Sequence, residues 1–90
     1  MIVGIIGSGG REHAICHALN KSKKIDKIYC FPGNAGTDDI AENINLDINN
    51  FEEIKNFIIS KKIKLVVIGP EKPLLLSFIN SFNPPIPFLI

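Results

Sequence analysis

Ninety residues suffice for one small domain with a modest core, since a chain of this length buries only about 60–65% of its unfolded surface. A hydrophobic content of 46% with 21% charged residues excludes a disordered tail, and a net charge of +1 leaves no basic excess for non-specific nucleic-acid binding. Two cysteines are too few for a disulfide scaffold, and no apolar run approaches the ~20 residues of a membrane helix. The start, Met1 to Gly7, lacks the basic region of a signal peptide. These features predict a soluble, reduced, cytoplasmic protein without nucleic-acid or membrane partners. The 17 Ile, 9 Lys and 9 Asn all use A/T-rich codons, so single Lys and Asn residues carry little functional weight.

In chain order, Ile2 to Ile6 is a β-branched apolar run closed by glycine, the pattern of a strand buried on both faces. Gly7-Ser8-Gly9-Gly10 makes a turn, and Arg11 to Asn20 has helical spacing with Ala14, Ile15, Ala18 and Leu19 on one side. Glu12 stands in the first turn, where a carboxylate complements the helix dipole. Lys21 to Lys27 reads as a solvated loop, Lys27 to Phe31 as a second strand, and Pro32 to Thr37 as a loop. Ile44 to Leu46 is expected to form a short third strand. Asn50 with Glu53 three residues on resembles a helix N-cap, and Phe51, Ile54, Phe57 and Ile58 follow at helical spacing. Leu65 to Ile68 reads as a fourth strand, Leu74 to Phe82 as a helix, and Ile86 to Ile90 as a fifth apolar run after Asn83-Pro84-Pro85.

Strands alternating with helices of about ten residues imply βαβ units: one α/β domain with a parallel sheet and flanking helices. The chain stops on Phe88-Leu89-Ile90, inside an expected strand, which predicts a truncated domain.

In such a fold, ligands bind outside the carboxyl ends of the strands. Three unusual loops fall there: Gly7 to Arg11, Pro32 to Thr37, and Gly69 to Pro73. The first opens a helix, so its amides make it a candidate anion site; a plain glycine turn is the alternative. It is a poor dinucleotide fingerprint, because Glu12 occupies the third glycine position and no acid ends the second strand at Cys30-Phe31-Pro32. No Gly-Lys-Ser/Thr follows, so it is not a P-loop. His13 and His17 share a helix face, but a metal site needs further ligands, and ordinary surface or packing histidines are the expectation. Cys16 is expected to pack as a small apolar residue and Cys30 to lie in a strand, neither beside a base. Glu71, between Pro70 and Pro73, is either an acceptor for a ligand hydroxyl or a solvated acid at a helix start.

Three segments, Gly7-Ser8-Gly9-Gly10-Arg11-Glu12-His13-Ala14, Pro32-Gly33-Asn34-Ala35-Gly36-Thr37 and Val67-Ile68-Gly69-Pro70-Glu71-Lys72-Pro73-Leu74, occur in order and at the expected spacing. Together they resemble the N-terminal domain of the phosphoribosylamine–glycine ligase (glycinamide ribonucleotide synthetase) family, over nearly all of residues 1–90. The resemblance implies a Rossmann-like domain of an ATP-grasp enzyme that joins glycine to 5-phosphoribosylamine in de novo purine synthesis. ATP and Mg2+ or Mn2+ serve that reaction, with their ligands in the rest of the parent enzyme. It implies substrate binding by Gly9, Gly10, Arg11, Asn34, Gly36, Thr37 and Glu71, with no catalytic or metal-binding residue in this segment. The chain departs from the family in its bulky Leu74-Leu75-Leu76-Ser77-Phe78 and in stopping at the fifth strand. A stand-alone module for a phosphorylated ribose compound and a degenerate fragment without a ligand are the other readings.

Overall fold

The structure is a computed structural model and describes residues 1–68, 73–83 and 86–89. The chain forms β1 (Ile2–Gly7), α1 (Gly10–Asn20), β2 (Lys27–Pro32), β3 (Glu42–Asn43), α2 (Phe51–Ser60), β4 (Leu65–Ile68), α3 (Pro73–Asn80) and β5 (Phe88–Leu89). A short 3-10 turn, Thr37–Asp39, lies between β2 and β3. All the strand pairings are parallel and the sheet order is β3-β2-β1-β4-β5, so the α/β expectation holds. The chain progresses to one side of β1 through β2 and β3, then crosses to the other side for β4 and β5. That reversal places the ligand crevice of a doubly wound sheet beside the carboxyl end of β1.

Period-two alternation sorts the strand side chains onto two faces. Val3, Ile5, Ile28, Cys30 and Val67 pack with Cys16 of α1. Ile6, Tyr29, Phe31, Val66 and Ile68 pack on the opposite face with Ile54 and Ile58 of α2 and Ile79 of α3. Phe57 meets the rings of Tyr29 and Phe31 edge-on, at 5.1 and 5.2 Å. Such pairs add about 0.5–1.5 kcal/mol beyond area burial.

Helix α2 starts as its sequence predicts: the Asn50 side chain accepts from the Glu53 N–H at 3.2 Å. The Asn50 N–H itself donates to the Asp47 carbonyl at 2.9 Å, so the cap is one-sided. Three expectations change. The third strand pairs at Glu42–Asn43 rather than Ile44 to Leu46, with Tyr29 opposite Glu42 and Cys30 opposite Asn43. Ile44 and Leu46 instead pack against the α2–α3 core from the segment that follows. In α1 the buried residues are Glu12 and Cys16, with Ile15 and Leu19 at the margin, while Ala14 and Ala18 face solvent. A single helix over β1 and β2 needs only a narrow apolar stripe, and Cys16 fills its centre. Helix α3 ends at Asn80, two residues before the expected Phe82, although Phe82 still packs on the core.

Candidate functional site

The end of β1 and the start of α1 build the first half of the site. Gly7 has φ +143° and Gly9 caps α1 without a side-chain hydrogen bond, so the first amides of the helix have no intrahelical acceptor. Gly9, Gly10 and Arg11 are exposed there, and open space surrounds the position a Cβ would take on Gly10. Glu12 turns inward and is only 6% exposed. A Cβ on Gly7 would lie 2.5 Å from Glu12 Oε1, and one on Gly9 would lie 3.0 Å from Oε2. The helix therefore approaches the strand through a glutamate seated on a bare glycine, an inversion of the glycine-against-strand packing of dinucleotide folds.

The second half follows β2. The Gly33 N–H donates to the Gly7 carbonyl at 3.1 Å, which joins the two loops through their backbones. The Asn34 Nδ2 donates to the carbonyls of Ser8 (2.8 Å) and Gly9 (3.3 Å), while its Oδ1 accepts from the Thr37 N–H at 3.0 Å. Thr37, 1% exposed, accepts from the Asn34 N–H at 2.8 Å and donates to Asn43 Oδ1 at 2.8 Å. Asn43 Nδ2 closes the ring by donating to the Asn34 carbonyl at 2.8 Å. Gly33, at φ +77°, has no room for a side chain, because a Cβ would run into Asn43 Oδ1. Gly36 is likewise covered, by the His13 imidazole, whose Cε1 would lie 2.5 Å from an added Cβ.

The structure thus brings Gly9, Gly10, Arg11, Asn34, Gly36 and Thr37 to one end of the sheet. The polar side-chain atoms of Asn34 and Thr37 are engaged within the protein, so these two residues shape the loops there. Glu71 lies outside the described residues. Asn43 and Glu12 are the contributors that motif reading missed. In an Asn-rich chain Asn43 has no local signal, and its role comes from standing opposite Cys30 in the β2–β3 register.

Between the loops and the segment entering α2 is a cleft of about 470 Å³, lined by Gly7, Ser8, Gly9, Glu12, Pro32 and Leu46–Ile48. Asp47 Oδ1 accepts from the Asn49 N–H at 2.9 Å, which steadies the far wall. Among the described residues, no three His, Cys, Asp or Glu side chains gather to hold a metal ion, and no helix is long and apolar enough to cross a membrane. His13 lies against Gly36 instead of forming a pair with His17 in such a group. Cys16 and Cys30 are free, buried and in contact behind the site. Burial pushes the Cys30 thiol up to about 12, helped by the neighbouring Cys16, so it is a packing group and no nucleophile at neutral pH.

Comparison with known proteins agrees with this geometry. Residues 1–88 match the family described as phosphoribosylglycinamide synthetase, N domain. The chain is 44% identical over 83 residues to a phosphoribosylamine–glycine ligase of Caldanaerobacter subterraneus, covering 92% of this chain and 20% of that protein. With the ligase of Clostridium acetobutylicum the identity is 43% over 85 residues, again covering 92% of this chain and 20% of the relative. The crystal structure of phosphoribosylamine–glycine ligase from Thermotoga maritima superposes with a TM-score of 0.63 at 33% identity, covering 86% of this chain and 18% of that one. The chain therefore spans about a fifth of the length of the curated relatives it matches. By its sequence and by its fold, the chain belongs to the phosphoribosylglycinamide synthetase N-domain family.

Proposed function

We propose that this chain is the N-terminal, phosphoribosyl-binding domain of a cytoplasmic ATP-dependent ligase that joins glycine to 5-phosphoribosylamine in purine biosynthesis. The observation that carries the reading is the joining of two glycine loops, through Gly33 and Asn34, at the carboxyl end of β1. Two glycine-rich loops held in one geometry present backbone amides and a small cleft without an ordering cost on binding. The start of α1, with Arg11 beside it, suits the phosphate group of the substrate. The second loop, shaped by Asn34, Gly36 and Thr37, borders the ribose, and Glu71 accepts from ribose hydroxyls.

The described residues gather no group of three metal-ligating side chains for Mg2+ or Mn2+, and they suit ATP poorly. The cleft presents the carboxylates of Glu12 and Asp47, which oppose a triphosphate, and the first loop lacks the lysine of a P-loop. Nucleotide, metal and glycine sites belong, on this reading, to sequence beyond these 90 residues. Catalysis needs those groups placed together with the sugar phosphate, so the chain by itself supports no ligation. Isothermal titration of the chain with ribose 5-phosphate and with Mg–ATP tests the reading. Saturable binding of the sugar phosphate without binding of Mg–ATP is expected. Binding of Mg–ATP alone, or ATP-dependent formation of glycinamide ribonucleotide by the purified chain, contradicts it.

A further inference from the structure

Glu12 is nine-tenths buried, yet among the described residues its carboxylate has no hydrogen-bond or ion-pair partner. The side chain is packed over Gly7 and Gly9, and it lines the cleft at the end of β1. Among the described residues no buried side-chain oxygen lacks a partner, so the Glu12 oxygens keep an opening to solvent, and the cleft they line is where a ligand donor can reach them. Other side chains at this end of the sheet supply no donor to them: the Asn34 amide is used on the Ser8 and Gly9 carbonyls, and Asp47, which also lines the cleft, is itself an acceptor.

We propose that Glu12 is a ligand-contacting residue, accepting a hydrogen bond from a hydroxyl or amine on the carbon framework of the bound sugar phosphate. The inference rests on the phosphoribosyl-binding reading above and divides the ligand between two subsites. The anionic group sits at the exposed amides of Gly10 and Arg11, and the donor-bearing carbons lie in the cleft over Glu12. Because Glu12 is an acceptor only, it discriminates against ligands that lack a donor at that end and against a second anionic group entering the cleft.

The test uses the unmodified chain first. With 13C-labelled glutamate, ribose 5-phosphate is expected to move the Glu12 carboxyl resonance, and sulfate, an anion without a donor, is expected to leave it in place. An unmoved resonance in the presence of bound ribose 5-phosphate overturns the inference, as does an equal displacement by sulfate. Glu12→Gln, which keeps the shape but removes the charge, is then expected to weaken ribose 5-phosphate about tenfold or more. A smaller loss in a folded variant also overturns it. If ribose 5-phosphate does not bind the unmodified chain at all, the phosphoribosyl-binding reading itself fails, and this inference with it.

Discussion

Asn43→Ala removes the hub of the second loop without touching any motif residue. The variant loses the Nδ2 bond to the Asn34 carbonyl and the Oδ1 acceptor of the Thr37 hydroxyl, both at 2.8 Å. Two neutral hydrogen bonds of net worth about 1 kcal/mol each set a loss of about 2 kcal/mol. The Thr37 hydroxyl, 1% exposed, then turns to the Asn34 carbonyl 3.0 Å away, so its desolvation penalty is only partly incurred. An overall destabilisation of about 2–3 kcal/mol follows, which for a domain of 60–100 residues lowers Tm by roughly 10–20 °C. Asn45→Ala is the control, because Asn45 is exposed and makes no side-chain hydrogen bond among the described residues; it is expected to stay within about 0.5 kcal/mol. Thermal and urea unfolding followed by circular dichroism supply both numbers. If Asn43→Ala unfolds within about 0.5 kcal/mol of the parent, the Asn34–Thr37–Asn43 ring does not hold the loop, and the reasoning is refuted.

Other substitutions probe the same end of the sheet and the face behind it. Gly7→Ala adds a Cβ 2.5 Å from Glu12 Oε1 at a φ of +143°, and is expected to cost about 1–3 kcal/mol in urea unfolding; a neutral result contradicts the seating of Glu12 on Gly7. Gly36→Ala has the His13 ring as its nearest contact, an exposed side chain able to swing away, so its loss should be under about 1 kcal/mol and shrink in a His13→Ala background. The Cys30 thiol binds its proton more tightly in the folded state, so stability is fully present below its ordinary value of 9.0 and falls as pH rises from there toward about 12. The slope is at most about 1.4 kcal/mol per pH unit, and it should be shallower in Cys30→Ala. A parent whose alkaline profile matches that of the variant sinks this account of the buried thiol.

Much of the fold is legible because glycine and proline punctuate apolar runs that cannot be solvated. Ile2 to Ile6 and Leu65 to Ile68 read as buried strands and form the centre of the sheet. Asn50 announces α2 because an N-cap is a local interaction, decided within four residues. The third strand pairs two residues before the apolar run because so short a pairing is fixed by the neighbour strand: Ile44 and Leu46 supply apolar contacts, while the backbone of Glu42 and Asn43 supplies the ladder. The glycine loops are legible as residues without side chains, but the reasons for those glycines are not. Gly7, Gly33 and Gly36 are bare because Glu12, Asn43 and His13 occupy the space, and each of those partners comes from another element. Burial of Glu12 is not legible for the same reason, since a charged residue in a first turn ordinarily faces water.

The central claim, that the two glycine loops form one preformed phosphoribosyl site, is tested most directly by mapping amide chemical shifts of the 15N-labelled chain during titration with ribose 5-phosphate. The account predicts concerted changes at Ser8 to Arg11 and at Asn34 to Thr37, saturating with a single dissociation constant. It also predicts quiet resonances in the groove between α2 and α3 around Ile59, Lys62 and Phe82, at the opposite end of the sheet. Changes confined to that groove, or changes in the first loop that leave Asn34 to Thr37 unmoved, would contradict it.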